Sequence, residues 1–243
     1  MGYSAVLRIW LVLLAIPAKL LDCLGLWKPL AIRFFPYMMA TFVADFCTCL
    51  HPYKKKLFSR LPDFAGPSGQ LKVLELGCGT GTNFQFYPRG ASIICTDVNP
   101  HFQKFLKKSK AENDHLHFER DLATPGENLS GVSDASVDVV VSTQVLCSAT
   151  SVEALLKEVL RVLRPHGAFF FMDHVCADHS TWTYICQKIY EPFWKCLFAG
   201  CNLCREPWKD LEKAQFSEVK LQHMWLPYTW LPVRPHIVGY AIK

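Results

Sequence analysis

The stretch that most constrains this chain is Val73-Leu74-Glu75-Leu76-Gly77-Cys78-Gly79-Thr80-Gly81. The apolar run from Leu71 to Leu76 reads as a parallel strand buried on both faces. Three glycines then fall at every second position. A turn so crowded calls for residues without a Cβ, so that backbone can approach a ligand closely. Thr82 to Tyr87 is expected to open a helix whose free N–H groups face the same ligand.

Spacing narrows the choice of ligand. Dinucleotide folds carry Gly-x-Gly-x-x-Gly, with a pyrophosphate at the helix N-terminus. Here the pattern is Glu-x-Gly-x-Gly-x-Gly, with the acid ahead of the glycines. Asp97 follows Gly77 by 20 residues and closes a second apolar strand, Ala91 to Thr96. A carboxylate at that place can accept both ribose hydroxyls. On these residues the chain resembles class I S-adenosylmethionine-dependent methyltransferases, over roughly Leu71 to Lys243. The resemblance implies an α/β, Rossmann-like fold, with a mostly parallel seven-stranded sheet and helices on both faces. It also implies S-adenosylmethionine as cofactor, contacted by Glu75, Gly77, Cys78, Gly79, Gly81, Asp97, Val98, Asn99 and Gln144. Asp121 and Leu122 are placed by it beside the adenine.

The remaining elements follow in order. Asn99 caps a helix through about Asn113, and His115 to Arg120 alternates as a third strand. Val137 to Ser142 is a continuous β-branched fourth strand. Ser151 caps a helix with Leu155, Leu156, Val159, Leu160 and Leu163 on its apolar face, and Arg164-Pro-His-Gly167 stops it. Gly167 to Asp173 is the fifth strand, residues 180–200 an aromatic-rich helix, and Glu218 to Leu226 and His236 to Ile242 the final strands.

The N-terminus is of another character. Ile9 to Ala18 is uninterrupted apolar sequence, shorter than the roughly 20 residues of a spanning helix. A second apolar stretch runs from Leu30 to Phe46, after a Gly25-Leu-Trp-Lys-Pro29 turn. The pair is expected to form a helical hairpin anchor in one leaflet, followed by the basic collar Lys54-Lys55-Lys56. The domain boundary is expected at 64/65, with the anchor over 1–64 and the methyltransferase domain over 65–243. Of 26 basic and 21 acidic residues, eight and two lie in residues 1–60, so 18 and 19 remain in the rest. That near-neutral remainder lacks the electrostatic footprint of a nucleic-acid binder. Eleven cysteines without a framework pattern read as free thiols in a reducing compartment. Cys201-x-x-Cys204 has no second pair at zinc spacing, so no metal is expected.

The acceptor is read from what the chemistry requires. Methyl transfer from a sulfonium is an in-line displacement and needs a nucleophilic acceptor. Ionising an aliphatic thiol of pKa ~8.5 at pH 7 costs about 2 kcal/mol, whereas an oxygen acid of pKa ~15.7 costs about 12 kcal/mol. The sequence offers neither a ligand cluster nor a base–orienter pair for the harder task, which favours a soft acceptor. Asp173 and His174 end the fifth strand and are the acceptor-side candidates.

At full length the chain is similar to methyltransferase-like family 7, the membrane-bound alkyl-thiol S-methyltransferases of endoplasmic reticulum and lipid droplets. Phe35-Pro36-Tyr37, Leu74 to Gly81, Asn83 to Pro88, Asn99 to Phe102, Val145 to Ser148, Trp208 to Leu211 and Pro235-His236 carry the similarity. It implies methylation of small lipophilic thiols on the cytosolic face of the endoplasmic reticulum membrane and on lipid droplets. Two departures stand out: His166 where the family has a second glycine, and Asp173 in place of its usual Glu. The turn at His166 is therefore expected to be strained. The alternatives are a methyltransferase for RNA, protein or another small molecule, and a lipid-droplet or membrane scaffold with a vestigial methyltransferase fold.

Overall fold

The computed structural model describes residues 17–18, 20–42, 44–66, 69–227 and 231–243. Most of the apolar run Ile9 to Ala18 therefore lies outside the described residues, as do Arg8, Trp10 and Lys19. Among the described residues, 17–18 and 20–23 are helical, and α1 (Trp27–Phe42) and α2 (Ala44–Phe58) follow. The sheet follows: β1 (Lys72–Leu76), β2 (Ser92–Thr96), α3 (Gln103–Glu112), β3 (His117–Leu122), β4 (Val137–Thr143), α4 (Val152–Val162) and β5 (Leu163–His174). Then come α5 (Trp182–Leu197), α6 (Pro207–Lys213), β6 (Glu218–Trp225) and β7 (Pro235–Ile242).

The seven strands run in the order β3-β2-β1-β4-β5-β7-β6. The first five pair in parallel; β7 is antiparallel to both β5 and β6. Central β1 and β4 are buried on both faces, so their sequences are apolar runs. Their side chains alternate between two cores. Leu74, Leu76, Val140, Phe169 and Phe171 pack on one side with Leu155, Leu156 and Val159 of α4. Val73, Val139, Val141, Phe170 and Met172 face Leu50, Leu57, Phe58, Leu61 and Phe64 on the other. Residues 50–64 thus share a core with the sheet. Phe64 sets its ring edge-on to Phe170 at 5.5 Å.

Ser151 caps α4 through its hydroxyl, which accepts from Ala154 N at 3.2 Å. The strand expected from Gly167 begins at Leu163 instead. The turn between is absorbed inside β5, where His166 takes φ +63° and the pairing with β4 shifts register. Gly167 has no room for a side chain there, since a Cβ would stand 2.8 Å from Asp138 O. Asp138 itself accepts from Lys72 N at 2.7 Å and pairs with Arg164, tying three strands at the lower edge of the sheet.

Among the described residues no helix is long and apolar enough to cross a membrane. The second apolar stretch, Leu30 to Phe46, falls on α1 and the start of α2, and α1 docks on the protein. Phe35 meets Phe102 and Tyr37 meets Phe105, edge-on at 6.0 and 5.3 Å. Trp27 Nε1 donates to Cys196 O in α5 at 2.7 Å. α1 therefore bridges the two helical regions above the carboxyl ends of the strands.

Candidate active site

Leu76 pairs with Ser142, so the chain leaves β1 and β4 side by side. The strand order reverses here, where open α/β sheets bind ligands. Gly77, Gly79 and Gly81 adopt φ of +58°, +52° and +77°, a region that costs other L-residues about 1–2 kcal/mol. A Cβ on Gly77 would lie 2.6 Å from Val145 Cγ2, and one on Gly81 2.6 Å from both Phe84 Cε2 and Ser109 Oγ. A Cβ on Gly79 would meet nothing nearer than Phe102 at 3.7 Å. The outer glycines permit close packing, and the middle one leaves its peptide open to the crevice.

The helix expected over Thr82 to Tyr87 is a single 3-10 turn, Phe84–Phe86. Asn83, at the capping position, is engaged elsewhere: its amide donates to Glu75 Oε1 at 2.8 Å and Thr143 Oγ1 at 2.9 Å. The other Glu75 oxygen accepts from Tyr87 Oη at 2.7 Å. Glu75 is buried, and burial pushes its carboxyl up to about 7 despite these two bonds. It braces the loop from beneath and is not among the residues lining the crevice.

Asp97 is fixed by two backbone donors. Gly79 N reaches Oδ2 at 2.9 Å and Asn99 N reaches Oδ1 at 2.8 Å. Burial raises its pKa, and the two N–H groups oppose that. Each oxygen keeps a lone pair for a further donor. Asp97 lines a crevice with Cys78, Asn99, Phe102, Asp121 and Leu122. Val98 stands 65% exposed beside it. Lys110 Nζ holds Asp121 Oδ1 at 2.5 Å. Asn99 Nδ2 also donates to Ile32 O at 2.8 Å, which fastens α1 to the crevice edge.

On the acceptor side Gln144 takes φ +59° at the tip of β4, with its Nε2 3.0 Å from His236 Nε2. Such a conformation in a non-glycine residue stores strain of order 1–3 kcal/mol and is commonest at functional sites. His236 is fully buried; burial, reinforced by His174, drops its pKa to about 3, so it is neutral. Asp173 Oδ2 accepts from Leu146 N at 2.7 Å, so the carboxylate orients the segment after β4. Burial pushes Asp173 up to about 6. His174 Nε2 lies 2.9 Å from Cys201 Sγ. Burial lowers the His174 pKa, but Cys201 and Asp173 outweigh it and the net shift is upward.

Cys147, His174 and Cys201 converge, with ligand atoms within 4.8 Å of one another, and all three are buried. The Cys201-x-x-Cys204 spacing gives no hint of this. Cys201 meets residues far away in the chain, and only the topology unites them. Asn83, Tyr87 and His236 sit in segments that carry the family similarity, but the roles they take, in side-chain bonds to Glu75, Thr143 and Gln144, have no local spacing that announces them.

A family model described as a methyltransferase domain matches residues 74–171. The human thiol S-methyltransferase TMT1A is 55% identical over 92% of this chain and 91% of its own length. The human thiol S-methyltransferase TMT1B is 48% identical over 98% of this chain and 97% of its own. Among solved structures, the geranyl diphosphate C-methyltransferase from Streptomyces coelicolor superposes with a TM-score of 0.58 at 13% identity, covering 79% of this chain and 76% of that one. The cyclase SpnF gives 0.56 at 15% identity, covering 78% and 80%. A cyclase on the same scaffold is a reminder that these distant structures speak for the fold alone. The near-full-length relatives speak for more: the chain belongs to the thiol S-methyltransferase family, within the class I S-adenosylmethionine-dependent methyltransferases.

Proposed function

We propose that this chain binds S-adenosylmethionine in the crevice at the ends of β1, β2 and β3 and methylates small lipophilic alkyl thiols at a membrane surface. The observation that carries the reading is the intact crevice, with its left-handed glycines and doubly held Asp97, in a chain closely similar to two named thiol S-methyltransferases. The residues fit that cofactor. Asp97 has free lone pairs for two ribose hydroxyls, Asp121 and Leu122 line the same crevice, and the Gly79 N–H holds the Asp97 carboxylate in place. When bound, the sulfonium supplies an electrophilic methyl group.

The chain's own task is then alignment. Gln144, held by His236, and the segment fixed by Asp173 border the place where acceptor and donor meet. A thiol reaches its thiolate at a cost of about 2 kcal/mol at pH 7, so loss of its proton to water suffices. A lipophilic thiolate aligned there with the bound cofactor would leave as its methyl thioether. Asp173 and His174 serve here as positioning residues: the bonds they make are to Leu146 N and Cys201.

Membrane attachment is supported by exposed apolar side chains on two neighbouring elements. Leu20, Leu24, Leu26 and Phe34 are exposed at and before α1, as are Trp182, Ile185, Ile189 and Tyr190 along α5. The second set recurs at helical spacing and forms one stripe. α1 is fastened to the crevice edge through Asn99 and to α5 through Trp27, so a substrate dissolved in lipid would enter from the surface the protein rests on. The cytosolic face of the endoplasmic reticulum and lipid droplets are the surfaces proposed, with attachment through the apolar N-terminal segment ahead of residues 50–64, which belong to the sheet's core and not to an anchor ending at 64. Incubating the full chain with methyl-labelled cofactor and a panel of lipophilic thiols, alcohols, amines and RNA tests the reading. Label is expected in the thiols; label in another class with none in thiols would refute it.

A further inference from the structure

We propose that Cys147, Cys201 and His174 form a binding site for a soft divalent cation of the zinc type, with the Asp173 carboxylate as a neighbour that orients the Cys147 segment. The three side chains come from separate segments. Cys147 follows the tip of β4, His174 is the last residue of β5, and Cys201 lies in the loop after α5. Their ligand atoms lie within 4.8 Å of one another, and His174 Nε2 and Cys201 Sγ are 2.9 Å apart. Tetrahedral zinc, with bonds of about 2.3 Å to sulfur and 2.0–2.1 Å to nitrogen, sets neighbouring ligands about 3.6–3.8 Å apart. Side-chain shifts of about an ångström therefore accommodate the ion.

A second observation points the same way. Asp173 is fully buried, and its Oδ1 has no hydrogen-bond partner, whereas Oδ2 is held by Leu146 N, next to Cys147. A buried carboxylate oxygen with nothing to accept is costly unless it is paired or coordinates a metal. Two buried thiols alone would be ordinary small hydrophobes. Two thiols meeting a histidine, with a half-satisfied carboxylate holding the backbone next to Cys147, make a donor set suited to zinc.

The surroundings hold these ligands in place. Trp194 Nε1 donates to Cys201 Sγ at 3.3 Å. Asn202 donates to Cys147 O through N at 2.9 Å and through Nδ2 at 3.1 Å. Arg205 Nη1 donates to Leu146 O at 2.8 Å and also to Ala149 O. Such outer contacts orient first ligands in metal sites. Binding would displace the two thiol protons to solvent and involve no change of oxidation state. The ion would clamp the loop after α5 to the ends of β4 and β5. The cluster supplies three protein ligands, and ion binding there is measured without reference to methyl transfer.

The test uses the full chain, expressed without added chelator and kept reduced. Elemental analysis should find stoichiometric zinc. Replacement by cobalt should give the visible bands of a tetrahedral ion and a near-ultraviolet sulfur-to-cobalt charge-transfer band. Cys147→Ser and Cys201→Ser should abolish that charge-transfer signature or halve it. The near-isosteric Asp173→Asn should weaken cobalt affinity by roughly 10–100-fold. Cys204→Ser, outside the cluster, should keep the spectrum. A reduced wild-type chain that lacks zinc and gives no cobalt spectrum on titration overturns the proposal. So does equal loss of metal in Cys204→Ser, or recovery of Cys147 and Cys201 as a disulfide that excludes metal.

Discussion

Glu75→Gln should change how the stability of this protein depends on pH. Glu75 lies beneath the glycine loop, fully buried, and burial raises its pKa from 4.5 to about 7. A carboxyl with a raised folded-state pKa binds its proton more tightly when folded. Its contribution is therefore fully present below pH 4.5 and is lost as pH rises through about 7. A shift of about 2.5 units at 1.36 kcal/mol each gives about 3 kcal/mol lost across that window. Glutamine cannot ionise, yet it can keep both bonds, with Oε1 accepting from Asn83 and Nε2 donating to the Tyr87 oxygen. Urea unfolding of wild type and variant at steps from pH 4 to pH 8 measures the difference. The variant should gain on the wild type by about 3 kcal/mol over that range, with most of the gain between pH 5 and pH 7. Parallel stability curves would refute the reasoning, because they would mean that Glu75 does not titrate in that window.

Other substitutions probe the crevice and the turn. Asp97→Asn should weaken cofactor binding by about a hundredfold to ten-thousandfold in calorimetric titration, since two charge-assisted bonds of about 1.5–3 kcal/mol each are at stake; a change below tenfold would exclude the ribose role. Gly77→Ala should destabilise the chain by about 2 kcal/mol or more through its left-handed φ and its approach to Val145 Cγ2. Adding Val145→Ala should recover part of that loss, with a coupling above about 0.5 kcal/mol in thermal unfolding. His166→Gly should stabilise by about 0.5–1 kcal/mol, because glycine accepts φ +63° without strain; unchanged or lower stability would count against strain at that turn.

The parts of this fold that could be read in the sequence are those in which one residue answers one local demand. Val137 to Thr143 is rich in β-branched residues because β4 is buried on both faces. Ser151 and the spacing of Val152, Leu155, Leu156 and Val159 place α4. The glycine at 77 and the acid at 97 fall where the strand tips demand them. The turn at His166 reads as strained because histidine stands where the resembled family has a glycine, and its φ bears that out. What stayed hidden depends on contacts distant in sequence. An apolar stretch such as Leu30 to Phe46 looks the same whether it meets lipid or, as Phe35 and Tyr37 do, the rings of Phe102 and Phe105. The turn after Gly81 is short because Asn83 reaches Glu75 and Thr143, partners that no spacing rule links. Cys147, His174 and Cys201 meet only because β4, β5 and the loop after α5 end together.

The most direct measurement is a crystal structure of the full chain grown with S-adenosylhomocysteine. The expected result has the ribose hydroxyls on Asp97, the adenine beside Asp121 and Leu122, and the sulfur turned toward the tip of β4 at Gln144. A nucleoside bound elsewhere, or a crevice filled by α1 with no nucleoside in it, would contradict the account.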